Sequence, residues 1–307
     1  MKIAMPQQKS RSVFIILVFL AVINIFALTV VRTLSAPQLL EVDFFNVGQG
    51  DSIFIKTPSR HKILIDGGPD NGVIEKLAKT MPFWDRTIDL VVLTHPDKDH
   101  VAGLIDVFKR YRVDNVLWTG VVRDTLEYKK WVGVLEKEQA SIVIAQSGQR
   151  IKSSSSGQSS ERTVYFDILN PSDRLEGLEF DKSNDTAVVA RMYFKDNSFL
   201  FTGDIGFSAE EKMVSSKIEL NSDILKVGHH GSKYSTGDFF LEKVLPSMAV
   251  IQVGKNSYGH PAPETLERLE KFDIDTLRTD TDGDIEIISD GNNIQVKNEN
   301  EKRKTIK

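Results

Sequence analysis

The sequence predicts a mixed α/β domain built from layers of sheet and helix. Strand-like apolar runs alternate with helical stretches along most of the chain, which is the pattern that mixed layers require. Four of the runs stop at an Asp or a His, and in layered α/β proteins the ends of strands are where loops converge on a site. With 307 residues and 40% hydrophobic content, the chain can bury the core of one large domain.

The elements follow in order. Short runs rich in β-branched and aromatic residues read as strands at Glu41–Val47, Ser52–Lys56, Lys62–Ile65, Leu90–Thr94, Asn115–Trp118 and Ile142–Ala145. A second series covers Val164–Leu169, Thr186–Phe194, Ser198–Thr202, Ile224–Val227 and Met248–Val253. Between them, Gly72–Thr80, Thr125–Glu138, Ser208–Ser216 and Pro263–Lys271 read as helices. Ser153–Ser160 is rich in Ser, Gly and Gln and reads as a flexible loop between the halves. No internal repeat is present, and residues 297–307 read as a charged, frayed tail.

The N-terminus suggests a compartment. Ser12–Val31 is uncharged and dense in Ile, Leu, Val and Phe. A helix of that length spans about 30 Å, the thickness of a hydrocarbon core. Lys2, Lys9 and Arg11 precede it, which places residues 1–11 in the cytoplasm and the rest outside. The reading is a single-pass membrane anchor at 12–31, a linker at 32–40 and a catalytic domain at 41–296 on the extracellular or periplasmic side. The alternative is a cleaved signal peptide, with Leu34-Ser35-Ala36 as its processing site and a secreted domain. The chain has no cysteine, so it can form neither a disulfide nor a thiolate metal site.

The candidate chemistry lies at the strand ends. Asp66-Gly67-Gly68 ends one run, and His95-Pro96-Asp97-Lys98-Asp99-His100 ends the next, with two imidazoles and two carboxylates in six residues. Thr202-Gly203-Asp204 and His229-His230-Gly231 end two runs of the second series. His and Asp are ligands for zinc or manganese, and charged groups are expensive to bury unless paired or bound to metal. Five of the six histidines sit in such segments or in Gly259-His260-Pro261, whereas His61 reads as a surface residue.

These motifs, with Asn46-Val47-Gly48-Gln49-Gly50-Asp51-Ser52, resemble the metallo-β-lactamase fold and, within it, the hydrolase domain of the ComEC competence proteins. The resemblance covers roughly residues 41–290. It implies a four-layer αββα sandwich holding two divalent metal ions, zinc or manganese, at the sheet edges. It gives His95, Asp97, Asp99, His100 and Asp204 as metal ligands, with His229 or His230 completing the second site. Asp97 stands where the family has a histidine; the lesser alternative for it is an N-cap before Val101-Ala102-Gly103-Leu104. Histidine is absent between His100 and His229, and Asn184-Asp185 occupies that region. A first site so poor in imidazole is harder than usual, so the metal identity stays open and loss of the first metal is an alternative. Asp66 and Asp99 are read as catalytic carboxylates, Asp66 by orienting water or a ligand histidine. His260, on a loop opening a helix, is read as a catalytic and substrate-binding residue, with Ser232 and Asn184 also at substrate.

Two metals sharing a water suit phosphodiester hydrolysis, and the ComEC resemblance implies DNA, single-stranded and extracellular, with the DNA-uptake machinery as partner. Charge argues against tight duplex binding. Residues 1–36 carry +4 of a formal total of −4, and residues 297–307 carry +3, which leaves −11 on residues 37–296. The alternatives are a hydrolase of another ester, such as a phosphocholine or cell-wall phosphodiester, and a catalytically impaired binding module in DNA uptake.

Overall fold

The structure, a computed structural model, describes residues 7–35, 39–153, 160–298 and 304–305. Residues 1–38 and 39–307 are separate compact units. The first unit holds one helix, α1 (Gln7–Ser35). Its described side chains from Val13 to Leu28 are all exposed and are apolar apart from Asn24, a run of about 24 Å at 1.5 Å per residue. Among the described residues no helix is long and apolar enough to cross a membrane.

The second unit is built on two sheets. The first has nine strands: β1 (Leu40–Phe44), β2 (Ile53–Lys56), β3 (Lys62–Ile65), β4 (Thr87–Leu93), β5 (Arg112–Trp118), β6 (Ser141–Ile144), β14 (Ile285–Ser289), β15 (Ile294–Asn298) and β16 (Lys304–Thr305). The second has seven: β7 (Arg150–Ser153), β8 (Val164–Asn170), β9 (Val189–Phe194), β10 (Asn197–Phe201), β11 (Ile224–Lys226), β12 (Met248–Ile251) and β13 (Asp275–Arg278). Each sheet joins an antiparallel part to a parallel one, with β3 to β6 parallel in one and β10 to β13 parallel in the other.

Alternation along the strands sorts side chains into three apolar layers. Val42, Phe44, Ile53, Ile55, Ile63, Ile65 and Val92 meet Phe166, Ile168, Met192, Phe199 and Phe201 between the sheets. The alternating neighbours Phe54, Leu64, Val91 and Leu93 face outward onto α2 (Gly72–Thr80), α3 (Lys98–Phe108) and α4 (Leu126–Leu135). On the second sheet Leu200, Leu225, Ala249 and Ile251 face α5 (Phe207–Ser215), α6 (Asp238–Val244) and α7 (Pro263–Lys271). This is the expected αββα order.

Several boundaries differ from expectation. β4 starts at Thr87 rather than Leu90, because Thr87 and the buried Ile88 already pair with Arg112 and Val113 of β5. β9 starts at Val189 rather than Thr186, because Asn184–Thr186 forms a tight helical turn. The hairpin β14–β15 was not anticipated, although Ile285 and Ile287 against Ile294 and Val296 carry the alternation around an Asp290-Gly291 turn. The tail reading from residue 297 is corrected by the same hairpin: Lys297 and Asn298 belong to β15, and Lys304–Thr305 pair with it. Of the Ser153–Ser160 loop, residues 154–159 lie outside the described residues, as do 299–303 and 306–307 of the tail and 36–38 of the linker.

Candidate metal centre

The parallel halves bring four strand ends to one edge. β3 delivers Asp66, β4 delivers the His95–His100 segment, β10 delivers Asp204, and β11 delivers His229 and His230. The helix that opens at Lys98 brings Asp99 and His100 round on its first turn. Donor atoms of Asp99, His100, Asp204 and His230 all lie within 4.8 Å of one another. His100 Nε2 and His230 Nε2 are each 3.3 Å from Asp204 Oδ2, and His230 Nε2 is 3.3 Å from Asp99 Oδ2.

Hydrogen bonds fix which nitrogen each imidazole presents. His100 Nδ1 donates to Asp66 Oδ2 at 2.8 Å, and His230 Nδ1 donates to the Gln252 carbonyl at 2.8 Å. Thr94 donates its hydroxyl to Asp66 at 2.6 Å, so its oxygen accepts from His95 Nδ1 at 3.1 Å. The Nε2 atoms of all three, with Asp204 Oδ1, are buried without a hydrogen-bond partner. Buried polar atoms are normally satisfied, and imidazoles held by Nδ1 with Nε2 facing carboxylates are the arrangement that binds a divalent cation. The residues present fit a metal.

Electrostatics agree. Burial disfavours ionisation of Asp204 and Asp99, yet the imidazoles of His230 and His100 hold both carboxyls below the ordinary carboxylate range. Burial also disfavours charge on His100 and His230, yet the carboxylates around them, Asp204 first, raise both well above the usual histidine value. Without metal, protons balance the carboxylates. His95 is pushed down by burial and by His100, so its Nε2 keeps its lone pair.

Not every expected residue joins the four-donor group. Asp66 is fully buried and touches Thr94 and His100; of the two roles read for it, the contact made is the one that orients a histidine of the donor group. His229 is a third exposed, 4.0 Å from Asp204 and 3.4 Å from Asn184 Nδ2, while His230 is 1% exposed. Of the two, it is His230 that stands among the donors. Asp97 precedes α3 without capping it and turns Oδ2 to within 3.7 Å of His95 Nε2. His61 is half-buried, its ring nitrogen bonded to the hydroxyls of Ser59 and Ser153.

A cleft of about 840 Å³ opens on the centre. Asp97, Asp99, Asp204, His229 and His230 line it, and so do Asn184, Ser232 and His260. Ser232 accepts from the Tyr234 N–H at 3.3 Å, which leaves its own proton free to donate. His260 Nδ1 is buried without a partner, and burial followed by the nearby His229 lowers its pKa. The helix after it is a poorer anion site than the sequence suggested, since Pro263 removes an N–H and Glu264 adds negative charge. His229 and His230 both hold left-handed backbone, at φ 47° and 53°, a conformation that non-glycine residues adopt at a cost.

Sequence reasoning missed Asp51 and Lys226 as site residues. Lys226 is 1% exposed, ion-paired with Asp51 and 3.5 Å from Asp204 Oδ1, and it donates to the Gly203 carbonyl at 2.9 Å. A lysine inside the apolar run Ile224–Val227 was the available signal, since buried lysines are paired.

The Metallo-beta-lactamase superfamily model matches residues 45–255. ComE operon protein 3 of Bacillus subtilis is 29% identical over 268 residues, 80% of this chain and 32% of that protein. Competence protein ComA of Neisseria gonorrhoeae is 28% identical over 253 residues, 79% of this chain and 31% of that protein. The chain thus spans about a third of the length of the curated relatives it matches. Among solved structures, the metallo-beta-lactamase fold protein YhfI from Bacillus subtilis superposes with a TM-score of 0.55 at 11% identity, covering 82% of this chain and 100% of that one.

Proposed function

Because the chain belongs to the metallo-beta-lactamase superfamily, we propose that it is a metal-dependent hydrolase acting on phosphodiesters, with single-stranded DNA outside the cell as the leading substrate. The observation that carries this reading is the group of four donors, the half-buried Asp99 with the buried His100, Asp204 and His230, opening onto a cleft large enough for a nucleotide unit. Those four would hold one zinc or manganese ion, and His95 and Asp97 with Asp204 would hold a second. Such ions lower the pKa of water and neutralise a developing oxyanion.

The chain's own groups supply the rest. Asn184 Nδ2 and the Ser232 hydroxyl face the cleft as donors to phosphate oxygens. His260, kept neutral by burial and by His229, stands beside that residue (ring centroids 5.4 Å) and can donate a hydrogen bond to a phosphate oxygen or accept a proton from an attacking water. Tyr234 and Tyr258 line the cleft at 65% and 76% exposure, beside Lys182 and Lys233. Exposed rings and cations suit bases and phosphates better than a bare ester. Relationship to a protein named for competence supports DNA and the DNA-uptake machinery as partner. Five carboxylates in the same cleft, Asp97, Asp99, Asp185, Asp204 and Glu264, favour modest affinity.

The uncharged apolar run Ser12–Val31, preceded by Lys2, Lys9 and Arg11, supports a membrane anchor that holds the domain outside the cytoplasm. Protease added to intact spheroplasts would then digest residues 39–307, and protection would refute that orientation. For the chemistry, metal-loaded protein should hydrolyse single-stranded DNA and bis(p-nitrophenyl) phosphate and spare the β-lactam nitrocefin. Activity confined to nitrocefin would overturn the proposal. Activity on the small diester alone would favour a phosphocholine or cell-wall phosphodiester.

A further inference from the structure

The half-site around His95 has lost the histidine that the family places second, and Asp97 stands there instead. A carboxylate on a surface-facing turn has many rotamers, so what holds Asp97 decides whether it can serve as a ligand. Its two oxygens face different ways. Oδ2 is 3.7 Å from His95 Nε2, a buried atom with no hydrogen-bond partner. Oδ1 accepts from the Ser183 hydroxyl at 2.5 Å and lies 3.7 Å from Arg123 Nε.

Ser183 is built for this contact. It is fully buried, 86 residues away in sequence, on the loop before Asn184–Thr186. Its carbonyl accepts from both the N–H and the hydroxyl of Thr186, at 2.9 and 2.6 Å, which pins the backbone that carries the hydroxyl. Arg123 comes from a third segment, and its guanidinium also donates to the carbonyls of Phe180 and Asp181, so it ties the Ser183 loop down beside Asp97. Ligand carboxylates are ordinarily held by such partners on the oxygen that does not face the metal.

We propose that Ser183, assisted by Arg123, is a positioning residue that turns Asp97 Oδ2 toward His95 and so creates a second, weaker metal site. The weakness follows from the same contacts. The guanidinium draws on the charge of Asp97, and the half-site offers one imidazole where the four-donor group offers two imidazoles and two carboxylates. The two metals should therefore bind unequally, the tight one at Asp99, His100, Asp204 and His230. This assignment rests on the metal-centre reading above.

The test is calorimetric titration of zinc or manganese into the metal-free full chain, with metal content measured after dialysis. The unmodified chain should take up two equivalents in separate phases. Ser183→Ala should weaken the second phase by about tenfold or more, the usual loss when such a partner is removed, and leave the first unchanged. Ser183→Thr, which keeps the hydroxyl, should restore it, and Asp97→Asn should abolish the second phase. Thermal melts of the metal-free variants monitor the fold. An unchanged second phase in Ser183→Ala, a fall in both phases together, or uptake of one equivalent by the unmodified chain would overturn the assignment while leaving the metallohydrolase reading standing. Uptake of no metal by the unmodified chain would overturn both.

Discussion

At the centre of the site, each imidazole commits Nδ1 to the protein and offers Nε2 to the cluster. Asp66→Asn leaves the volume unchanged but weakens the hold on His100 Nδ1, so metal affinity should fall by about ten- to a hundredfold. Asp204→Ala and His100→Ala should each remove most bound metal, measured after dialysis, because each deletes a member of the four-donor group. The pH dependence has a definite sign. His100 and His230 have raised pKa values in the folded, metal-free chain. Their contribution to its stability is therefore complete below about pH 6.5 and is lost as pH rises through the folded values. Asp204 and Asp99 are depressed; theirs is present above about pH 4 and is lost as pH falls through the folded values. Metal must displace both imidazole protons, so its affinity should rise with pH by roughly a hundredfold per unit while both remain protonated. A flat affinity between pH 6 and 7 would contradict this charge assignment. Lys226→Met should cost about 3–5 kcal/mol by stranding Asp51, and adding Asp51→Asn should recover much of the loss in a thermal melt.

At the scale of elements, the site depends on how tightly α3 approaches the strand ends. A Cβ on Gly103 would stand 1.9 Å from the Gly67 carbonyl oxygen, and one on Gly67 would stand 2.4 Å from Leu104 N. The Gly67 N–H donates to the His100 carbonyl at 2.8 Å, so the first turn of the helix is clamped to the loop that carries Asp66. Gly103→Ala should destabilise the fold by about 1–3 kcal/mol through overpacking and loosen metal binding with it; a melt unchanged within error would show that the helix can shift. The Asp66-Gly67-Gly68 motif was legible from sequence as a strand ending, but the reason for its glycines was not, because α3 approaches from 36 residues downstream. The hairpin β14–β15 and strands β7 and β13 were missed for other reasons. The hairpin carries a local signal, alternation about Asp290-Gly291, that was passed over, whereas β7 and β13 are four-residue strands with polar or exposed residues and no such pattern.

The whole molecule repeats one device in both sheets: an antiparallel flank carries a parallel half whose strand ends point to the common edge. Activity should therefore be separable from metal loading at positions that line the cleft without joining the donors. His260→Ala should lower turnover by about a hundredfold or more with metal content unchanged. Loss of metal in that variant would place His260 in the centre itself. The −11 charge of residues 37–296 should give a shallower dependence of binding on salt than a basic nuclease shows, measured on single-stranded DNA between 50 and 200 mM salt.

The sequence by itself determined the layer architecture, since period-2 alternation and helical spacing are local, and it named the donors, since Asp and His at strand ends are visible as residues. It also singled out Asn184, Ser232 and His260, which line the cleft that opens on those donors. Side-chain packing across the fold chose His230 over His229, set Asp66 against His100 among the two roles open to it, and gave Asp97 its partners Ser183 and Arg123. Those decisions rest on side-chain direction and on contacts between segments tens of residues apart. Adjacent histidines on a left-handed turn point apart, and a carboxylate's role depends on which groups reach each of its oxygens. Neither is encoded in the spacing of the chain.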